Sequence, residues 1–439
     1  MGMFFQKVTY PALQVVVAVL LLFLLTFVSV PFAVAEGWHV EIRDLENIPH
    51  SFAAIDKNKQ QLHVLNKHSP LSVSVTYPCT TGKVPGDKQV EGDLKTPEGV
   101  YFVGRKLTEL DFEEYGGVAY TLNYPNPVDR LRQKTGYGIW IHSKGHEIVP
   151  RETMGCIALN LPDLEEIGDS LISGYPVTVA DKVDTNIVRD EQTAATAALL
   201  EQQVRLWAKL WSDRSPAMFD LYHGQSYSLA QINETFEQFT AVKRSLFGRL
   251  AWIHTIITDV KVLPGPGYWV TWFNQFYRAP NHTTEGIRRL YWQEMNGKWL
   301  IVGMEWSPRD LGLSANYLEV IEPGLTAFLE EWRKAWENAD LDGYAGYYAD
   351  NAVQGKLGGR RAIRDFKKNL WGMKKPAEVS LNGIRLATSS DGIQADMEQV
   401  YRDSSGYSDK GIKTLTLQPS GDSWVIVREE WQGIGKNER

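Results

Sequence analysis

Cysteine is nearly missing from this chain: Cys79 and Cys156 are its only two in 439 residues. A framework of several disulfides is thereby excluded, and each folded unit has to rest on an apolar core of its own. No grouping of His, Cys, Asp and Glu carries ligand spacing, so neither a metal centre nor a bound cofactor is expected. Surplus positive charge is absent as well: 46 Lys and Arg stand against 53 Asp and Glu, a formal net charge of −7. Nucleic acid is therefore not an expected partner, and any polyanion would need a local basic patch. Beyond the N-terminus no apolar run approaches the length of a membrane span.

What is present at the N-terminus is a lone Lys7, an apolar run from Val15 to Val30, and Ala33-Val34-Ala35 before Glu36. A charged start, a hydrophobic stretch and a small-x-small site make residues 1–35 a secretory signal. The mature chain is then expected outside the cytoplasmic membrane, touching it only if the segment stays uncleaved as an anchor. Export permits disulfides, so two readings of the cysteines stand. Either Cys79 and Cys156 form one staple, or Cys156 is a reactive thiol and Cys79 a small buried hydrophobe.

A chain of this length exceeds one core and predicts several domains. Residues 36–184 read as strands and turns. Ser51 to Leu65 alternates about Asp56-Lys57-Asn58-Lys59, a hairpin signal, and Gly82, Gly86, Gly92, Pro97 and Gly99 punctuate a loop-rich stretch. One helix is predicted over Leu164 to Ile172, started by Asn160 or Pro162 and ended by Gly174.

Thirteen of the fifteen tryptophans lie beyond residue 200, and they recur at an offset of 125 residues. Trp207, Trp211, Phe219 and Tyr222 align with Trp332, Trp336, Tyr344 and Tyr347. Phe247-Gly248 matches Trp371-Gly372 after a slip of one residue. Gly286, Trp299 and Trp306 align with Gly411, Trp424 and Trp431. The period is domain-sized, so residues 190–312 and 315–436 are two copies of one domain. Each copy opens on a helix with aromatics at i and i+4 and closes on two strands, turning at Asn296-Gly297 and at Ser420-Gly421-Asp422. This α+β cone order resembles the nuclear-transport-factor-2-like (SnoaL-like) family. Such cones hold enzymes as well as binding sites. Tyr222, His223, Tyr277 and His282 in one copy, and Tyr347, Tyr348 and Tyr401 in the other, are core or cone-mouth residues. No acid/base pair repeats, which favours binding of substrate, cell wall or a protein partner over a second activity.

The sharpest local pattern lies earlier. Ile139-Trp140-Ile141-His142-Ser143 is followed, fourteen residues after His142, by Gly155-Cys156-Ile157-Ala158-Leu159. Two short apolar runs, each with a reactive side chain, look like strands presenting a dyad at one rim. A thiol is mostly protonated at neutral pH and needs a neighbouring imidazole to become a nucleophile. His142 is the candidate base for Cys156. The amides of Gly155 and Cys156 are candidates for an oxyanion hole, worth ~3 kcal/mol per donor.

With His142-Ser143, Thr153-Met154-Gly155-Cys156 and the upstream Thr96-Pro97-Glu98-Gly99, residues 50–182 resemble the L,D-transpeptidase catalytic domain of bacterial cell-wall enzymes. The resemblance implies a mostly-β catalytic domain and peptidoglycan stem peptides as substrate. It also implies that the Ser143 carbonyl orients His142. Met154 replaces a His common before Gly-Cys, and Ala158 stands where cross-linking members carry Arg. The likeness therefore leans to the L,D-carboxypeptidase branch, which trims stems in the periplasm. A 3–3 cross-linking transpeptidase and a non-catalytic wall-binding scaffold remain the alternatives. Trp140, His146, Arg151, Thr153 and Met154 are candidate substrate contacts, and Lys88, Lys95 and Arg130 could meet stem carboxylates.

Overall fold

The computed structural model describes Gly2, residues 37–280 and residues 282–434. The signal read in residues 1–35 lies outside this range apart from Gly2. Among the described residues no helix is long and apolar enough to cross a membrane.

β1 (His39–Arg43) leads into the expected hairpin, β2 (Ser51–Asp56) and β3 (Gln61–Lys67). Its turn is closed by the Lys59 N–H donating to Asp56 Oδ1 at 2.7 Å. There follow β4 (Leu71–Thr80), β5 (Gly99–Thr108), β6 (Val118–Leu122), β7 (Trp140–Ser143), β8 (Ile157–Leu159), β9 (Pro176–Ala180) and β10 (Lys182–Val188). Eight of these close into a barrel in the order β2-β3-β4-β8-β7-β6-β5-β9, while β1 pairs with β10 outside it. Closure leaves no free sheet edge. Ile55, Leu62, Tyr101, Ile141, Ile157 and Val177 pack in one buried cluster of the barrel. Cys79 belongs to that cluster, and both cysteines are free, so the staple reading fails.

The predicted helix is present but shorter, running Leu161–Gly168 rather than reaching Gly174. Gly168 sits against the Tyr120 hydroxyl, where a Cβ would come within 2.8 Å. The chain then turns, and Gly174 donates to the Val103 carbonyl at 2.7 Å as it enters β9.

The first α+β repeat stacks the helix Glu191–Ser212 on an antiparallel meander of β11 (His254–Gly265), β12 (Tyr268–Ala279), β13 (His282–Met295) and β14 (Lys298–Pro308). Trp207, buried under that sheet, donates from Nε1 to Tyr222 Oη at 2.8 Å. The second repeat has the helix Tyr317–Glu337, and strands β15 (Tyr348–Gln354), β16 (Leu357–Gly358), β17 (Pro376–Ser389), β18 (Gly392–Asp403), β19 (Ser408–Ser420) and β20 (Ser423–Gly433). These form one sheet in the order β16-β15-β20-β19-β18-β17. Both copies thus carry four long strands where the sequence predicts two. The aligned glycines have a shared cause. A Cβ on Gly286 would meet Ser307 O at 2.3 Å and the Trp306 ring at 3.0 Å. One on Gly411 would meet Gln432 O at 2.4 Å and the Trp431 ring at 2.9 Å. Each glycine is the seat of a cross-strand tryptophan.

Candidate active site

β7 and β8 are parallel neighbours, with Ile141 opposite Ile157 and His142 opposite Ala158. Cys156 directly precedes β8, so the loop from Lys144 to Cys156 leaves one strand and returns beside it. This carries the thiol to the same stretch of the barrel wall as His142.

His142 is buried, 3% exposed, between β6, β7 and the edge of the Tyr115 ring at 5.2 Å. Its Nδ1 lies 2.6 Å from the Ser143 carbonyl oxygen. A carbonyl only accepts, so the proton sits on Nδ1 and Nε2 keeps its lone pair. This is the contact that the resemblance implies for Ser143. Burial pushes the imidazole pKa down, opposed by that same hydrogen bond. Burial pushes the Cys156 thiol up, opposed by the Trp140 backbone amide and, more weakly, by Lys144 and Lys88. The resting pair is neutral thiol and neutral imidazole. In this state the thiol donates to the Gly138 carbonyl at 3.4 Å.

The loop before the thiol is tied by Thr153. Its hydroxyl donates to the Cys156 carbonyl at 2.7 Å and accepts from the Gly155 N–H at 3.2 Å. Its backbone is pinned to Thr81 and Lys83. Gly155 has φ +129°, and a Cβ there would come within 2.9 Å of the Lys95 carbonyl oxygen, so both conformation and space require glycine. The Gly155 amide, expected to be free for an oxyanion, is turned toward Thr153 in this state. Releasing it would need the Thr153 hydroxyl to yield.

Trp140 flanks the site, half-buried, with Tyr115 packed on it at 5.4 Å. Met154 is 75% exposed at the rim. His146 is exposed, its Nδ1 2.9 Å from the Glu147 carbonyl and its Nε2 4.0 Å from Glu152. Arg151 turns back to the wall: its N–H donates to Gln60 Oε1 at 3.0 Å and its guanidinium to the Lys57 carbonyl at 3.2 Å. Lys88 is buried against Asp93 at 2.8 Å, and Arg130 donates to the Ala230 carbonyl at 2.7 Å, so both cations are spent inside the protein.

Sequence reading missed Tyr115, which closes the imidazole from one side. It also missed Lys57, which donates to Gly86 O at 2.7 Å, Thr96 O at 2.9 Å and Glu98 Oε1 at 2.8 Å. A hairpin-turn lysine carries no sign of burial. The acidic residue inside Thr96-Pro97-Glu98-Gly99, three positions from Lys95, was the available hint. Among the described residues no group of three or more His, Cys, Asp or Glu is placed to hold a metal.

Residues 51–179 match the L,D-transpeptidase catalytic domain, and residues 199–305 and 324–430 each match the Cds6 C-terminal NTF2-like domain. No curated protein matches the chain. Among solved structures it is similar to Bd1075 from Bdellovibrio bacteriovorus, at 23% identity over 62% of this chain and 96% of that one, with a TM-score of 0.49. It is similar also to the helical cell shape determining protein Pgp2 from Campylobacter jejuni, at 26% identity over 59% of this chain and 95% of that one, with a TM-score of 0.48. An NTF2-like protein of unknown function from Pseudomonas putida KT2440 matches at 19% identity over 27% of this chain and 91% of its own, with a TM-score of 0.24.

Proposed function

We propose that this chain, an L,D-transpeptidase catalytic domain followed by two NTF2-like domains, is an exported cysteine enzyme that trims peptidoglycan tetrapeptide stems to tripeptides. The observation that carries the reading is the fixed His142 tautomer. The Ser143 carbonyl 2.6 Å from Nδ1 leaves Nε2 as a base on the strand beside Cys156. The thiol leaves Gly138, gives its proton to His142 Nε2, and sulfur attacks the carbonyl that joins the L-centre of the diamino acid to terminal D-alanine. The C–N bond breaks, and the departing amine takes the proton from His142. Water, deprotonated by the same imidazole, then cleaves the thioester and restores the thiol. Ala158, buried beside His142 on β8, brings no cation to the site. That favours water over an amine-bearing acceptor strand in the second step.

The test is to incubate the mature protein with purified tetrapeptide muropeptides and follow products by mass. Tripeptide with free D-alanine is expected. Accumulation of 3–3 linked dimers would transfer the assignment to the transpeptidase reaction. Turnover no greater than that of Cys156→Ala would remove both.

A further inference from the structure

The duplication places two versions of one cone interior in a single chain. In the first, a cavity of about 310 Å³ is walled by Trp211, Tyr277 and Trp306 and carries Lys243, Gln275 and Arg288. Lys243 Nζ stands 4.3 Å from the centre of the Trp211 ring, and the Arg288 guanidinium 4.7 Å from that of Trp306. Arg288 Nε donates to Gln275 Oε1 at 3.1 Å, a neutral partner. Among the described residues lining this cavity none is acidic. Glu234, whose charge reaches both cations, accepts from Tyr227 Oη at 2.9 Å and stands outside the wall. Two cations in one aromatic cavity whose wall holds no counter-ion are each costly. Burial accordingly pushes Lys243 down to about 8 and Arg288 to about 10.

The second cone repeats this set. Lys367 Nζ lies 4.8 Å from the Trp336 ring centre, as Lys243 does over Trp211. Lys413 is opposite Trp431 on the neighbouring strand, as Arg288 is opposite Trp306. The copies diverge two residues before that tryptophan, where Leu290 faces Met304 but Leu415 faces Glu429. Glu429 is buried, and its carboxylate is bound by Lys413, by the Tyr348 hydroxyl and by Gln354 Nε2 at 2.7 Å. Its charge acts on Lys367 as well. Both lysines of the second cone are consequently buried, whereas Lys243 and Arg288 stay half-open to their cavity. The second cone carries its own anion; the first has only the thioether of Met304 at that place.

We propose that the first cone binds a small organic carboxylate with an apolar body, whose carboxylate pairs with Lys243 and Arg288 in the place that Glu429, paired with Lys413, fills in the second cone. The tryptophan and tyrosine walls receive the body, and the cavity lies at the lower end of small-ligand sites. The second cone is the same pocket closed from within.

Calorimetric titration of the full chain with benzoate and with its neutral isostere benzamide tests this. Benzoate is expected to saturate one site per chain and to bind at least about tenfold tighter than benzamide, since only the anion completes the charge pair. Met304→Glu supplies the missing carboxylate and is expected to abolish benzoate binding, while Met304→Leu keeps it. Glu429→Met is expected to open the second cone and raise the stoichiometry from one to two. Should that variant not fold, the benzoate–benzamide contrast and the Met304 pair still decide. Equal affinity for the two probes, no saturation by about 10 mM benzoate, or undiminished binding in Met304→Glu overturns the proposal.

Discussion

At the scale of single residues, the candidate dyad is defined by two opposite effects of burial. His142 is held below its ordinary value and Cys156 above its own, so at neutral pH neither is charged. This differs from the thiolate–imidazolium pairs that stay reactive in acid. Alkylation of Cys156 by iodoacetamide is therefore expected to climb with pH beyond the ordinary thiol value of 9.0, with no reactive plateau in acid. A plateau below neutrality would mark a preformed ion pair and refute the neutral resting state. For turnover the sign runs the other way. Catalysis needs neutral His142, and a lowered pKa keeps it neutral further into acid. The acid limb of kcat/KM is thus expected below the ordinary histidine value of 6.5.

Thr153 is the residue that connects this chemistry to the loop. Its hydroxyl binds both the Cys156 carbonyl and the Gly155 amide. Thr153→Val removes both bonds at a buried position, at a cost of ~1–3 kcal/mol in stability. Turnover should fall by roughly ten- to a hundredfold through misplacement of the thiol. Thr153→Ser keeps the hydroxyl and should recover most of the loss. If valine and serine variants turn over alike, the hydroxyl does not position the loop.

At the scale of elements, legibility followed how local the cause was. The β2–β3 hairpin was readable because alternation and a turn signal sit within one stretch of sequence. The His142 strand and the strand that follows Cys156 were readable because each is a short apolar run with one reactive side chain in it or directly before it. The tryptophan offset exposed the duplication for the same reason. The helix Leu161–Gly168 ends at Gly168, whose close approach to the Tyr120 hydroxyl of another element leaves no room for a Cβ and is not visible in the local sequence. The sequence does not announce β11, β17 and β18, because each mixes exposed, half-buried and buried positions over twelve or more residues, nor β12, which is buried or half-buried throughout and lacks a clean alternation. Their faces are assigned by the cone rather than by composition.

Lys57 is the clearest case of a role fixed from outside its own element. In the β2–β3 turn it reads as a solvated charge, yet it is 1% exposed and binds the Gly86–Glu98 segment from across the barrel end. Removing one partner strands a buried charge. Lys57→Met is thus expected to lower unfolding free energy by ~3–5 kcal/mol. Lys57→Met combined with Glu98→Leu should return at least half of that loss. Urea denaturation of the wild type, the two single variants and the double variant measures these quantities, and an additive double variant would show that the two groups do not act as a pair.

At the scale of the whole molecule, the catalytic barrel and the first cone share one apolar cluster. Phe52, Val100 and Phe102 of the barrel pack in it with Val262, Tyr268, Val270 and Tyr291 of the cone. Polar contacts fasten the same seam. Asn123 Nδ2 donates to Glu305 at 3.0 Å, and the Arg289 guanidinium lies 4.1 Å from the Phe102 ring centre. At its middle, the Tyr268 hydroxyl accepts from the Val100 N–H at 2.8 Å and lies 3.2 Å from Asn126 Nδ2. Gly99, the last residue of the Thr96-Pro97-Glu98-Gly99 segment, lies beneath that hydroxyl, where a Cβ would come within 3.0 Å. A segment read as belonging to the catalytic pattern is therefore also the cone's docking point. Tyr268→Phe leaves the buried Val100 N–H without its acceptor and Asn126 Nδ2 with the Val100 carbonyl alone, at a cost of ~1–3 kcal/mol. Because the cluster is continuous, this loss should lower one unfolding transition common to barrel and first cone. Calorimetry of the full chain, with Trp fluorescence following the cones and retention of muropeptide turnover following the barrel, separates the cases. Coincident loss of both signals at a lowered temperature is expected. A barrel signal that keeps its wild-type midpoint while the cone signal falls would mean that the two fold independently and that the shared cluster is contact without coupling.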